Sequence, residues 1–455
     1  MVDKTARINK IINRILADVK KKIRPDIKVI VDADNIVKKI NEILKKEKIS
    51  AECVKGGSIA KETFLKNDYD IDLFIRYNLE YKNKDISNIT EKILKELCEK
   101  LKVIFYRIHG SRDYFQFNLK KGKKILAFEI IPVLLIYTQN YKDAENITDL
   151  SPEHVIWVKK YTSKNPILLD EIRLAKQFCK ANKVYGAESY INGFSGHILD
   201  ILIIHYGSFI NLINAFSKYT PDELNKPIII DTEKNLKNPL KDLNRSKITP
   251  LIIIDPIQKE RNSAAALNKE KLLMFIDAAK AFLEKPDKNF FEVKEFDIEK
   301  EIQNFLKEIK KNYNLNEKDV NIVKIDIDTV DGSKDVVGTK VLKTYEAIIE
   351  HLRLNDFKVL KSDWKFRYDE KRAEAYIIVD RKISEELMQE GPPTKTTPDY
   401  KKFVDKHVAL GHEILFKDGR VYAMVPRKFL DAKSFINDLE KKDFISRRIK
   451  GLFVR

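Results

Sequence analysis

The chain has 455 residues, enough for about three domains of ordinary size. Hydrophobic residues make up 43%, sufficient for real cores, yet the sequence shows no apolar run long enough for a membrane span. Lysine and arginine outnumber the acids by 86 to 69, and the net charge of +17 points to a polyanionic partner, although a merely lysine-rich surface would give the same balance.

Residues 1–23 alternate apolar and basic residues as an amphipathic helix does, without the uninterrupted apolar segment or cleavage site of a signal peptide. Cys53, Cys98 and Cys179 are too far apart for metal-ligand spacing and cannot all pair. The expectation is a reduced protein of the cytoplasm. An amphipathic helix is predicted over 33–46 and a short strand over 52–55.

The next stretch, "GGSIAKETFLKNDYDIDLFIRY" (56–77), is the most informative. Tyr69 to Ile75 has strand composition, so Asp70 and Asp72 project from one face with their Cα atoms about 6.6 Å apart. Two carboxylates so placed repel unless a cation lies between them or one stays protonated. A solvated strand end would also tolerate them. Gly56 and Gly57 permit a sharp turn and close backbone approach, Ser58 adds a hydroxyl donor, and Lys61 adds a positive charge. Together these describe a phosphate cradle followed by a carboxylate pair suited to Mg²⁺, as at a two-metal nucleoside-triphosphate site.

A helix is predicted over 89–100, with strands over 103–107, 114–119 and 125–136. Two metals about 3.5–4 Å apart need a third carboxylate. Asp68 extends the row on its own strand, but three such acids would spread over about 13 Å. A neighbouring strand is the better source. "KILAFEIIPVLLIY" (124–137) carries Glu129 at its apolar centre, where an acid is costly unless paired. Its partner is either a metal or a lysine.

Beyond residue 154 the pattern becomes helical, with helices predicted over 168–181, 195–216 and 264–283. Ser195 is the expected N-cap of the second, and a strand over 250–255 interrupts the series. Pro286 and its charged neighbours mark a boundary. An α+β unit follows, with strands at 321–328 and 373–379 and a helix at 340–354. A hairpin over 412–425 turns at Asp418-Gly419. Phe290, Phe291, Trp364, Phe366 and Tyr368 read mainly as core, with RNA stacking as the alternative.

The glycine turn, short spacer and D-x-D strand resemble the nucleotidyltransferase signature of the DNA polymerase beta superfamily. "KANKVYGAESYINGFSGHILDILIIHYGSF" (180–209), "DPIQKERNSAAAL" (255–267) and "EGPPTKTTPDYKKFV" (390–404) narrow the likeness to the archaeal, class I CCA-adding enzymes. The resemblance runs over most of the chain and is thinner over 288–382. It implies an α+β protein with a polymerase-beta-like head (1–153), a helical nucleotide-binding middle domain (154–287) and a C-terminal α+β tRNA-binding region (288–455). It also implies template-independent addition of C, C and A to tRNA from CTP and ATP with Mg²⁺.

Asp70, Asp72 and Glu129 would be the catalytic and metal-binding residues. Glu129 stands where the family has aspartate, in the frame Glu129-Ile130-Ile131-Pro132. Ser58, Lys61, His154, Lys176, Tyr185 and Arg261 would bind the nucleotide, Arg261 by reading the base. The bland alternatives are a surface or capping role for His154, a solvated face for Lys176, and a phosphate clamp or an ion pair with Glu260 for Arg261. A homodimer is one of the assemblies left open. A poly(A)-type transferase and an RNA-binding protein on a degenerate nucleotidyltransferase fold are the rival functions.

Overall fold

The computed structural model describes residues 2–313, 316–394 and 397–455. Residues 395 and 396, part of the motif at 390–404, lie outside them. The chain divides into two compact units, 1–294 and 295–455.

The first unit opens with helices Val2–Ile23 and Lys28–Lys46, followed by a five-stranded sheet. Its strands are β1 (Ala51–Lys55), β2 (Asp70–Tyr77), β3 (Phe105–Ile108), β4 (Tyr114–Lys121) and β5 (Lys124–Leu134), in the order β1-β2-β5-β4-β3. Only β2 and β5 pair in parallel; the other neighbours are antiparallel. Along β2, Ile71, Leu73, Ile75 and Tyr77 are fully buried, while Asp70 and Asp72 fall on the opposite face, as the period of two requires. Phe74 shares that opposite face and is covered by Gly56. A Cβ at Gly56 would come within 2.4 Å of the Phe74 ring.

The core of this unit runs without a break from Ile12 to Phe291. Phe178 on the helix Ile167–Ala181 packs against Phe209, Phe275, Phe282, Phe290 and Phe291, so the last two are core residues, as expected. Two short strands, β6 (Ile228–Ile230) and β7 (Leu251–Ile253), pair in parallel. The three cysteines are unpaired and buried.

Two expected helices are corrected. The apolar run 195–216 is not one helix but two, Gly196–Tyr206 and Phe209–Phe216, bent by 94°. Gly207 ends the first at φ 78°, a left-handed conformation that favours glycine, and the Ser208 hydroxyl caps the second by accepting from Asn211 N. Ser195 caps the first helix as expected, accepting from Ile198 N at 3.1 Å. The helix placed at 264–283 begins only at Lys269, because Asn268 caps it there. No single helix among the described residues is long and apolar enough to cross a membrane.

The second unit holds a four-stranded antiparallel sheet of β8 (Val320–Thr329), β9 (Val359–Arg367), β10 (Arg372–Asp380) and β14 (Ile449–Val454), in the order β14-β8-β10-β9. Helices Lys334–Leu354 and Ala432–Glu440 cover one face through Val341, Ile348 and Ile436. Ile302 and Ile309 of the helix Ile298–Tyr313 pack against Tyr376 and Ile378 on the other face. A second sheet has the order β11 (Glu386–Pro393), β13 (Arg420–Pro426), β12 (Ile414–Lys417). Asp418 and Gly419 both take positive φ, 50° and 74°, at the expected hairpin turn.

The bend gives a stability test. Gly207→Ala forces a β-carbon into left-handed backbone, and Ser208→Ala removes a cap, so each should cost about 1 kcal/mol in urea unfolding. Ala substitution at solvent-facing Asn214 is the control, with little change expected.

Candidate active site

Parallel pairing puts Asp72 directly beside Glu129 in the register of β2 and β5. Asp70 lies two residues before Asp72 on the same face and is exposed, whereas Asp72 and Glu129 are half-buried. Gln116 of β4 stands opposite Glu129 and donates Nε2 to Glu129 Oε1 at 2.6 Å. Burial, and then the charges of Glu129 and Asp70, push the Asp72 carboxyl up to about 7. A site that holds a carboxylate so reluctantly has an excess of negative charge, which is the environment a divalent cation neutralises.

The glycine turn packs against these acids. Gly56 N donates to the carbonyl of Asp72 at 2.7 Å. Gly57 has φ +51°, and a Cβ there would lie 1.7 Å from Asp72 Oδ2. Only glycine permits that approach. The turn runs straight into a short helix, Gly57–Lys61, which carries Ser58 and Lys61.

Lys61 is buried and donates to Asp200 Oδ2 at 2.8 Å. Lys176, also buried rather than on a solvated face, donates to Thr63 Oγ1 at 2.9 Å and stands 3.8 Å from Asp200 Oδ1. Burial lowers the Lys176 ammonium to about 8, against the pull of Asp200. Tyr185 is half-buried, and burial raises its phenol. The Tyr185 hydroxyl and the end of Lys176 converge on Gly196, within 3.2 and 3.7 Å of where its Cβ would stand. Lys180, one turn beyond Lys176, binds Asp68 at 2.9 Å and lies over the Tyr185 ring.

His154 and Arg261 meet at a residue the sequence reading did not single out. Asp255 is fully buried, and its carboxylate accepts from His154 Nε2 at 2.9 Å, Arg261 Nη1 at 3.1 Å and Ser263 Oγ at 3.0 Å. The amides of Ile257 and Gln258 donate to Oδ1 as well. Burial opposes ionisation, but His154 and then His197 hold the carboxyl well below the usual range. Asn262 folds the loop to this point by accepting from Ile253 N and Ala264 N. Arg261 is therefore paired with Asp255; Glu260, the alternative considered, accepts from Tyr141.

His197 was missed too. Its ring is 4.3 Å from that of His154, and Nε2 is 3.7 Å from Asp255 Oδ2, beyond hydrogen-bond distance. Burial, then His154, lowers His197 to about 4. His154, His197 and Asp255 each offer a ligand atom within 4.8 Å of the others. The fold and its acidic and histidine groups point to use of a divalent metal.

A mixed sheet bearing paired carboxylates beside a glycine turn defines a nucleotidyltransferase. A nucleotidyltransferase-domain model matches residues 37–126, the second domain of tRNA nucleotidyltransferase matches 170–292, and the C-terminal domain of the CCA-adding enzyme matches 319–448. The CCA-adding enzyme of Nanoarchaeum equitans is 30% identical over 397 residues, covering 86% of this chain and 88% of that protein. That of Methanocaldococcus jannaschii is 27% identical and covers 98% and 93%. The chain belongs to the CCA-adding enzymes. A solved structure of Cid1, described as having RNA terminal uridylyl transferase activity, matches with TM-score 0.50 and 14% identity, covering 63% of this chain and 99% of that one, and shares the fold.

Two tests follow from this geometry. Gly57→Ala should displace the Asp72 carboxylate and lower nucleotide incorporation about a hundredfold while circular dichroism stays unchanged. In metal-free protein burial and the neighbouring acids push the folded Asp72 carboxyl up to about 7, well above the ordinary carboxylate range, so the folded state binds the proton more tightly. Stability then falls as pH rises from that range to about 7. Asp72→Asn should melt above wild type at about pH 8, with the difference closing near about pH 4.

Proposed function

We propose that Asp70, Asp72 and Glu129 hold Mg²⁺ and that Ser58, Lys61, His154, Lys176, Tyr185 and Arg261 hold the nucleotide while the chain adds C, C and A to the 3′ end of tRNA from CTP and ATP. The observation that carries the reading is the register of β2 against β5, which sets Asp72 beside Glu129 under the Gly57 turn. The three carboxylates fit a divalent cation, because burial, and then the charges of Glu129 and Asp70, already push Asp72 toward neutrality. Bound there, Mg²⁺ would acidify the terminal 3′-hydroxyl of the RNA and neutralise charge on the departing pyrophosphate.

The rest of the work falls to the chain's own side chains. Gln116 fixes one Glu129 oxygen by donating Nε2 to Oε1. Ser58 and Tyr185 contribute hydroxyl donors, and Lys61 and Lys176 contribute ammonium groups, for the triphosphate. Arg261, steadied by Asp255, is a guanidinium fork whose side chain remains 34% exposed, so its outer edge can meet a base. The net charge of +17 supplies the attraction for an RNA backbone. The functional division we favour is a catalytic head at 1–153, a nucleotide-binding middle at 154–287 and a tRNA-gripping region at 288–455, in a cytoplasmic enzyme whose buried thiols stay reduced.

The deciding experiment uses tRNA that ends before CCA. CTP alone should add two residues, and CTP with ATP should complete the end. Asp70→Ala should abolish every addition while tRNA binding persists. Glu129→Ala and Glu129→Gln should lose several orders of magnitude in single-turnover rate, and Glu129→Asp should keep substantial activity. A near-wild-type rate for folded Glu129→Ala would remove it from the metal site. Loss of A addition alone in Asp70→Ala would refute a shared metal site.

A further inference from the structure

Asp200 lies on the helix Gly196–Tyr206 among the buried residues Leu199, Ile201 and Ile203. Its side chain is 1% exposed. Oδ2 accepts from Lys61, whereas Oδ1 faces Lys176 Nζ at 3.8 Å and has no hydrogen-bond partner among the described residues. A buried carboxylate oxygen left in that condition is costly. Two ammonium groups gathered in one buried place are costly as well, and each favours losing its proton.

We propose that Asp200 is a positioning residue for nucleotide binding, whose carboxylate holds Lys61 and Lys176 side by side and then yields Lys61 to the incoming triphosphate. The proposal rests on the reading above that both lysines bind triphosphate. Around Lys176 stand Lys61 on the short helix, Asp68 in the loop after it, Lys180 on its own helix, Tyr185 in the following loop, and Asp200 and His197 on the facing helix. Asp68 is bonded to Lys180, and His197 is neutral near pH 7. That leaves Asp200 as the counter-ion facing Lys176. Burial opposes ionisation of Asp200 too, but the two lysines outweigh it and hold its carboxyl below the ordinary value. Thr63 fixes Lys176 by two hydrogen bonds, so Lys61, whose side chain makes a single hydrogen bond among the described residues, is the group placed to change partner.

The sign of the effect follows. Without the charge of Asp200, Lys176 deprotonates at lower pH than its present value of about 8. In Asp200→Asn, the KM for CTP and for ATP should therefore rise about tenfold at about pH 8.5, the loss of a charge-assisted hydrogen bond, with kcat little changed. At about pH 6 Lys176 is charged in the variant, Lys61 is no longer tied to a carboxylate, and KM should match wild type or fall below it. Direct binding of a non-hydrolysable CTP analogue should show the same crossing. Asp200→Glu, which keeps the charge, should keep the wild-type profile.

A pH-independent loss in Asp200→Asn, or a fall in kcat in step with the folded fraction, would overturn the proposal in favour of a structural role. So would failure of both Asp200→Asn and Asp200→Ser to fold while Asp200→Glu folds. Lys61→Ala and Lys176→Ala separate the two readings. If neither raises KM, the lysines do not bind triphosphate and the proposed function must be revised. If both do and Asp200→Asn leaves KM and its pH profile unchanged, only the role of Asp200 falls.

Discussion

Carboxylates gathered on one sheet face, Asp72 and Glu129 half-buried among them, set the conditions at the candidate site of this molecule. Asp70, Asp72 and Glu129 could have been separated by a different strand order. Instead, β2 and β5 pair in parallel and set two of them side by side. Burial first, and then the charges of Glu129 and Asp70, push the Asp72 carboxyl up. The glycine turn makes the arrangement tighter still, because Gly57 closes over Asp72 where any β-carbon would collide.

Behind this face the charges alternate in layers. Lys61 feels Asp72 on one side and is bonded to Asp200 on the other, and Lys176 follows beyond Asp200. Lys180 and Asp68 continue the alternation toward the surface. Such a series keeps every buried ion near an opposite one, so that no single side chain bears the whole cost of desolvation. Asp255 performs the same service for His154 and Arg261, adding backbone amides that no side-chain substitution removes.

Much of this was legible in the sequence, for identifiable reasons. Period-two alternation placed Asp70 and Asp72 on one face, and an acid inside an apolar strand singled out Glu129. The same argument applies to Asp200 in "GHILDILIIHY", yet a helical run absorbs a lone acid on its polar side more readily than a central strand does. Asp255 was hidden because it stands just past the end of a strand, where acids are common. The break at Gly207-Ser208 was written as a glycine followed by a capping residue, but continuous apolar periodicity masked it. Strands β9, β11 and β14 escaped because their charged, half-exposed residues pair for tertiary reasons that local propensity does not carry.

The parallel pairing of β2 with β5 has a consequence for how the protein comes to life. A hairpin cannot join parallel neighbours, so the chain must pass through the helix Ile86–Leu101 and then β3 and β4 before Glu129 docks beside Asp72. The closing of that long loop precedes the contacts that reward it, which makes the pairing a slow step in folding. A chain emerging from the ribosome carries Asp70 and Asp72 first, without Glu129. The three acids are thus brought together only once the surrounding sheet is in place to support them.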